Sequence, residues 1–201
     1  SVGVGLELFS MEDLAALQRP GFAPPAGAAR QGFLQTPADL CARMLSLRHG
    51  LSAPPLLLVS ACAAGTDALG VALRLVASGR RGFMLAGGTD SMINPLGVAG
   101  FCTLGATSTR NHDPQRASRP FDRRRDGFVL GEGAGMLMLE TLDGARRRGT
   151  TIHAELLGYS CSFDAHGISE PHPEGRGALL AMQAAVRDAG LTPADLDAVN
   201  A

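Results

Sequence analysis

The sequence predicts an α/β fold built on a mostly parallel sheet. Short apolar runs that suit buried strands alternate along the chain with segments of helical periodicity. The 26 glycines and the low aromatic content of 4% suit helices packed closely on a sheet. With 201 residues and 45% apolar composition, the chain has enough apolar side chains for a sizeable core.

Periodicity and turn residues place the elements in order. Residues 1–10 are Gly-rich with no element before them to anchor them, which indicates an internal piece of a longer protein. Residues 17–37, rich in Pro, Ala and Gly, predict a long surface loop. Apolar spacing by three and four residues predicts helices at about 38–49, 63–79, 95–105, 141–149 and 177–189. Apolar or alternating runs predict strands at 56–62, 82–88, 131–140, about 151–163 and, just beginning, 197–201.

Charge and cysteine usage narrow the classes of function. The 18 basic and 19 acidic residues leave a net charge of -1, which gives no electrostatic argument for nucleic acid or an anionic membrane. The longest apolar runs are far shorter than the roughly 18 residues that cross a bilayer. The four cysteines are widely spaced without a CxxC pair, and no signal-peptide pattern opens the chain. We therefore expect a cytoplasmic protein.

Cys62 is the candidate nucleophile. It lies where the predicted strand 56–62 meets the predicted helix 63–79, beside unpaired helical N–H groups that favour the thiolate. Its small neighbours leave room for a substrate, and its own backbone N–H could donate to an oxyanion. The alternative is a small buried hydrophobic residue, the role of most cysteines. The other three cysteines lack this setting and are interpreted as structural: Cys41, Cys102 and Cys161.

Three long motifs, in order and at matching spacing, resemble the elongating β-ketoacyl-acyl-carrier-protein synthases of the thiolase-like superfamily. They are VSACAAGTDALG (59–70), LAGGTDSMINPLGVAGF (85–101) and STRNHDPQRASRPFDRRRDGFVLGEGAGMLMLE (108–140). The resemblance covers about 47–201 and is looser over 1–46. It implies a layered α/β/α/β/α fold of which the chain holds only part. Residues 1–150 would belong to the N-terminal half with the nucleophile, and residues 151–201 would begin the C-terminal half.

The resemblance also implies the chemistry. Cys62 would take an acyl group from the phosphopantetheine arm of an acyl carrier protein. Decarboxylation of a malonyl carrier protein would then give an enolate that attacks the thioester, in fatty-acid or polyketide synthesis. The resemblance implies no metal or nucleotide cofactor. It implies two partners, an acyl carrier protein and a second copy of the chain in a homodimer with exposed apolar surface before assembly, and neither nucleic acid nor membrane.

Four further residues match substrate-binding positions of that family. Phe128, in the RDGFV motif, would lie near the cysteine and shift as acyl groups enter, or would be an ordinary core aromatic. Met92, Gly97 and Phe101 would line the acyl pocket, and the size of Met92 would limit the chain length accepted. The family's two catalytic histidines have no counterpart among the chain's five histidines. We therefore expect the isolated 201 residues not to complete the condensation.

Two other functions remain open. One is a non-catalytic acyl-binding or partner subunit of a polyketide synthase, although such partners usually lack the cysteine. The other is a thiolase or chain-initiating synthase acting on coenzyme A esters, against which the RPFD, RDGF and GEGAG motifs argue.

Several charged and glycine-rich features are interpreted as structural. GEGAG runs into a strand instead of opening a helix, so it does not predict a nucleotide site. The acidic pair Asp122 and Asp126 lacks a third metal ligand. We interpret the arginine runs at 123–125 and 146–148 as solvated faces instead of carrier-protein contacts. We interpret Arg116 and Arg119 as structural.

Overall fold

The computed structural model describes residues 2–4, 39–167 and 170–200, so the loop predicted at 17–37 lies outside the described residues. The strands are β1 (Val2–Val4), β2 (Leu57–Leu58), β3 (Phe83–Ser91) and β4 (Glu132–Glu140). The helices are α1 (Leu40–Arg48), α2 (Ala64–Ala77), α3 (Pro95–Thr103), α4 (Leu142–Arg148) and α5 (Arg176–Asp188). None of the described helices is both long and apolar enough to cross a membrane.

The sheet has the order β2-β1-β3-β4. β1 lies between β2 and β3 and runs parallel to both, whereas β4 pairs antiparallel with β3. The predicted mostly parallel sheet is thus confirmed. The central strand β1, with Gly3 between two valines, was not predicted, because three residues are too few for a periodic signal.

The core between the sheet and α2 is built from small side chains. α2 packs on β1 and β3, and Ala68 and Ala72 of α2 are fully buried, as is Ala86 of β3. At the start of this helix, a Cβ on Gly65 would lie 3.5 Å from Gly88 Cα. Helix and sheet therefore approach closely at the end of α2 that follows Cys62.

β4 presents uncovered apolar side chains. Leu137 and Met138 point to opposite faces of the strand because side chains alternate, and they are 57% and 55% exposed. Phe83 of the paired strand is also more than half exposed. Exposed apolar surface, which the family resemblance implied, is present in the described part of the chain.

The structure confirms the predicted helices in position and shows where each ends. α2 begins two residues after Cys62 and ends before Gly79, whose φ of 71° lies in the left-handed region that glycine adopts readily. Gly149 similarly ends α4 with a φ of 63°. The strands predicted at 82–88 and 131–140 correspond to β3 and β4.

Three strand predictions need correction. The run 56–62 forms only the two-residue β2, half-buried instead of buried on both faces, and among the described residues β2 pairs with β1 alone. Residues 151–163 form no strand, since no strand pairs with them among the described residues. Residues 197–200 likewise have no regular structure.

Candidate active site

Cys62 lies in a tight turn that leads straight into a helix. The 3₁₀ turn Ala61–Ala63 joins the segment after β2 to α2, and the Cys62 side chain is exposed. Among the described residues, Cys62 is therefore not a buried side chain. Ala61 has a φ of 48°, a left-handed conformation that costs a residue with a Cβ roughly 1–2 kcal/mol. Such strain persists only where surrounding contacts hold it, and it concentrates at functional sites.

Sheet topology brings Cys62 to the same edge as two predicted substrate-binding residues. β2 and β3 both run parallel to β1, so their carboxyl ends lie at one edge of the sheet. Cys62 follows β2 at that edge, and Met92 follows Ser91, the last residue of β3. Ser91 pairs with Glu132, the first residue of β4, so Phe128 also enters from this edge. Ligands of open α/β sheets bind outside the carboxyl ends of the strands.

The four predicted substrate-binding residues form two contacts about α3. The rings of Phe101 and Phe128 meet edge to face with centroids 5.2 Å apart. A Cβ on Gly97 would lie 2.3 Å from the carbonyl oxygen of Met92, so glycine is required there. Gly97 and Phe101 are four residues apart on α3 and thus share one helix face. The structure therefore groups these residues as an aromatic and methionine cluster.

Backbone hydrogen bonds fix the position of Phe128. Its N–H donates to Ala106 O and its carbonyl accepts from Ser108 N–H, both at 3.0 Å. Asp126, two residues earlier, accepts from the Ser108 hydroxyl at 2.9 Å and from Arg119 at 3.0 Å. The Ser108 hydrogen bond, with that of Thr109 N–H and the charge of Arg119, holds the pKa of Asp126 below its ordinary value. These contacts fit the structural roles predicted for Asp126 and Arg119.

Two residues to which the sequence analysis gave no role lie beside the cysteine turn. Asp67, in the first turns of α2, accepts hydrogen bonds from both the Ser60 hydroxyl and, at 2.6 Å, the Tyr159 hydroxyl. The Tyr159 ring lies against Gly70, where a Cβ would come within 2.3 Å of two ring carbons. A glycine inside a helix lowers stability by roughly 0.5–1 kcal/mol relative to alanine, so its presence in the sequence indicates that another part of the chain approaches the helix closely there. That signal does not say that Tyr159 is what approaches.

A second link ties the same region of α2 to Tyr159. The Tyr159 N–H donates to Asp188 Oδ2 at 2.9 Å, and Arg74 of α2 donates to Asp188 Oδ1 at 2.7 Å. The Tyr159 hydrogen bond and then that of Arg74 lower the pKa of Asp188. Asp67, Gly70 and Arg74 recur at helical spacing, so one face of α2 holds the Tyr159 segment.

Tyr159 should titrate well above its ordinary range. Burial and then the hydrogen bond to Asp67 raise the pKa of Tyr159. Because the folded pKa exceeds the unfolded value of about 10, the unfolded state loses this proton first as pH rises. The contribution of Tyr159 to the free energy of unfolding should be fully present below about pH 10 and should decrease as the pH rises above that value.

Phenolate absorbance measures this directly, because Tyr159 is the chain's single tyrosine. We expect the folded protein to titrate at higher pH than the protein in urea. Tyr159→Phe should lose the part of the alkaline destabilisation that begins near pH 10. Superimposable titrations of the folded and unfolded protein would contradict the prediction.

The other three cysteines do not precede a helix as Cys62 does: Cys41 and Cys102 lie within α1 and α3, and Cys161 lies beside Tyr159. Cys102 and Cys161 are exposed, Cys41 is half-buried, and all four cysteines are free thiols. His166 and His172 contact each other with ring centroids 5.1 Å apart. In the described ranges, no three His, Cys, Asp or Glu residues form a group that could hold a metal ion.

Solved structures similar to this one are ketosynthases. A β-ketoacyl synthase from Burkholderia phymatum STM815 matches with a TM-score of 0.84 at 37% identity, over 100% of this chain and 48% of that one. A type II polyketide synthase ketosynthase, solved with its acyl-carrier protein and a bound hexaketide, matches with a TM-score of 0.75 at 36% identity. That match covers 78% of this chain and 38% of the other. The predicted layered α/β fold of this superfamily, present in part, is confirmed.

Curated relatives carry the same type of name. The mitochondrial 3-oxoacyl-[acyl-carrier-protein] synthase of Arabidopsis thaliana is 49% identical over 158 residues, 78% of this chain and 34% of the relative. The 3-oxoacyl-[acyl-carrier-protein] synthase 2 of Rhizobium meliloti is 48% identical over 164 residues, 81% of this chain and 39% of the relative. The chain thus spans about a third to two fifths of the length of these relatives.

Family matches cover both parts of the sequence. Residues 1–145 match the family described as "Beta-ketoacyl synthase, N-terminal domain", and residues 153–201 match "Beta-ketoacyl synthase, C-terminal domain". Together with the exposed cysteine at the carboxyl edge of the sheet, these matches establish that the chain belongs to the β-ketoacyl synthase family.

Proposed function

We propose that the protein containing this chain is a 3-oxoacyl-acyl-carrier-protein synthase and that Cys62 is its nucleophile. The single observation that carries the proposal is the exposed Cys62 in a strained turn at the start of α2. A thiol there is accessible to substrate and lies near the positive end of the dipole of α2.

The first step is thioester exchange. Cys62 Sγ attacks the carbonyl carbon of an acyl group on the phosphopantetheine of an acyl carrier protein, and the pantetheine thiol leaves. A malonyl carrier protein then loses carbon dioxide, and its enolate carbon attacks the Cys62 thioester. A carbon–carbon bond forms, the bond to Sγ breaks, and the thiolate is restored for another cycle.

The aromatic and methionine cluster would hold the acyl chain. Phe101 and Phe128 supply an apolar wall at the carboxyl edge of the sheet, where Cys62 also lies. Met92 lies against Gly97, which shares a face of α3 with Phe101. Phe128 remains 42% exposed, so its ring has room to move as the acyl chain enters. The backbone N–H of Cys62 would serve as one donor to the oxyanion.

The partners follow from the same chemistry. An acyl carrier protein delivers the substrate, and the exposed apolar side chains of β3 and β4 fit assembly of the protein as a homodimer. Residues 1–150 would form part of the nucleophile-bearing half and residues 151–201 the start of the second half. Free thiols at all four cysteines fit a reducing compartment, the cytoplasm.

Intact-protein mass after incubation with an acyl-carrier-protein thioester tests the nucleophile. We expect a gain equal to one acyl group in the native protein, no gain in Cys62→Ala, and an unchanged gain in the control Cys102→Ala. Cys102 is matched because it is also an exposed free thiol. An acyl group that persists in Cys62→Ala would show that another residue is the acceptor.

A failure to load any acyl group would favour the second hypothesis, a non-catalytic partner subunit. Two structural neighbours are assemblies of a ketosynthase with a chain length factor, at 29% and 26% identity. Alkylation of Cys62 by iodoacetamide separates the two hypotheses. A Cys62 that is alkylated but accepts no acyl group would indicate that a component needed for acyl loading is missing, and not that the cysteine is inert.

A further inference from the structure

We propose that Ser60, Asp67 and Tyr159 are positioning residues that hold the turn carrying Cys62. In the contacts described above, Ser60, Asp67 and Tyr159 touch neither the sulfur nor the aromatic and methionine cluster. The proposal rests on the proposed role of Cys62 as nucleophile. It concerns how reactive Cys62 is, and not which substrate it accepts.

Ser60 makes two hydrogen bonds that bracket the turn. Its carbonyl accepts from Ala63 N–H at 3.1 Å, and its hydroxyl donates to Asp67 Oδ2. Cys62 lies inside the loop closed by both bonds. Ala61, also inside it, has the left-handed φ of 48° that needs external support. The Ser60 hydroxyl therefore anchors the strained turn to the body of α2.

Asp67 can anchor Ser60 because it is itself held in place. Its other oxygen, Oδ1, accepts from the Tyr159 hydroxyl at 2.6 Å. The ring of Tyr159 rests on Gly70, one helical turn beyond Asp67, and its backbone N–H bonds to Asp188. One carboxylate oxygen thus serves the turn and the other serves the chain segment at residue 159, which locks the rotamer of Asp67.

Tyr159 remains a hydrogen-bond donor at all ordinary pH values. Its pKa is raised by burial and by Asp67 itself, so the hydroxyl keeps its proton. The donation to Asp67 Oδ1 is thus a permanent feature of the folded protein and not a switch.

The alternative is that these contacts only join α2 to the segment at residue 159. Arg74 supplies the control, because its bond to Asp188 makes the same connection without touching the turn. A purely structural network predicts similar effects on Cys62 from loss of Arg74 and loss of Tyr159. A positioning network predicts an effect only from Ser60, Asp67 and Tyr159.

The test measures the rate at which iodoacetamide alkylates Cys62, divided by the rate for Cys102 in the same molecules, by peptide mass spectrometry. Ser60→Ala and Tyr159→Phe each remove one hydroxyl and leave the rest of the site in place. We expect each to lower the rate ratio by about five- to tenfold, because a displaced turn withdraws the sulfur from its reactive position. Arg74→Ala should leave the ratio within about twofold of the native value.

Two further variants sharpen the result. Ser60→Thr keeps the hydroxyl and should retain the native ratio. The double variant Ser60→Ala with Tyr159→Phe should resemble either single variant, since both act through Asp67 and their effects are not additive.

The proposal is overturned if Ser60→Ala and Tyr159→Phe keep the native rate ratio, or if Arg74→Ala lowers it equally. Iodoacetamide needs no carrier protein, so the result does not depend on acyl transfer. A protein that shows the expected ratios yet loads no acyl group would leave the positioning network intact, and the failure would then lie in acyl delivery and not in the reactivity of Cys62.

Discussion

Gly87→Ala will lower the free energy of unfolding by about 3 kcal/mol or more. A Cβ at this position would lie 1.9 Å from Gly135 O and 2.8 Å from Met136 Cα, both backbone atoms of β4. Gly87 is buried in β3 and pairs with Met136 in the antiparallel ladder. Neither strand can retreat without losing ladder hydrogen bonds, so the strain has no inexpensive relief.

The matched control is Gly135→Ala on the facing strand, where a Cβ would meet nothing within 4 Å. We expect urea or thermal unfolding of Gly135→Ala to stay within about 0.5 kcal/mol of the native protein. Gly87→Ala should melt lower by about 6–12 °C. Equal stability of the two variants would show that β3 and β4 are not as closely paired as the structure has them.

The sequence predicted the helix after Cys62 well because local signals agree there. The apolar run before Cys62, the small residues after it and the helical spacing that ends at Gly79 all fall within one short stretch. The structure has α2 from Ala64 to Ala77, directly after the turn. Local periodicity is sufficient where one helix packs on one sheet.

The error at 151–163 shows where periodicity fails. Alternation predicted a long strand, but a strand also needs a partner for its ladder. The segment packs instead on helices. A Cβ on Gly158 would come within 2.6 Å of Ala189 N at the end of α5, and the next residue, Tyr159, lies against α2. The pattern could not distinguish a strand from an extended segment pressed between helices.

The link between Asp67 and Tyr159 was beyond sequence reasoning for a different reason. The two residues are separated by 92 positions. Each is ordinary on its own, an acidic residue early in a helix and an isolated tyrosine. Gly70 was the only local hint, since a glycine inside a helix indicates that something approaches closely. The identity of that partner is set by tertiary packing.

Gly70→Ala will therefore disturb both stability and Cys62. The added methyl group would lie 2.3 Å from Tyr159 Cγ, which belongs to the rigid ring. The ring must move, and its hydroxyl then leaves Asp67. We expect a loss of about 3 kcal/mol in the free energy of unfolding despite the higher helix propensity of alanine. The alkylation rate of Cys62 relative to Cys102 should fall as in Tyr159→Phe.

Gly100→Ala provides the control, since Gly100 lies within α3 and a Cβ there would meet nothing within 4 Å. This variant should gain about 0.5–1 kcal/mol from helix propensity and leave Cys62 unchanged.

A double-mutant cycle separates the clash from a general loss of packing. Removing the ring in Tyr159→Ala leaves room for the methyl group that Gly70→Ala adds, so the double variant should be about 2–3 kcal/mol more stable than the sum of the single effects. The alkylation rate of Cys62 should nevertheless stay low in the double variant, because no hydroxyl remains to hold Asp67. The free energy of unfolding would then recover while the alkylation rate of Cys62 stays low. Additive effects of the two substitutions do not predict this recovery in stability. A purely structural role for Tyr159 does not predict that the alkylation rate stays low.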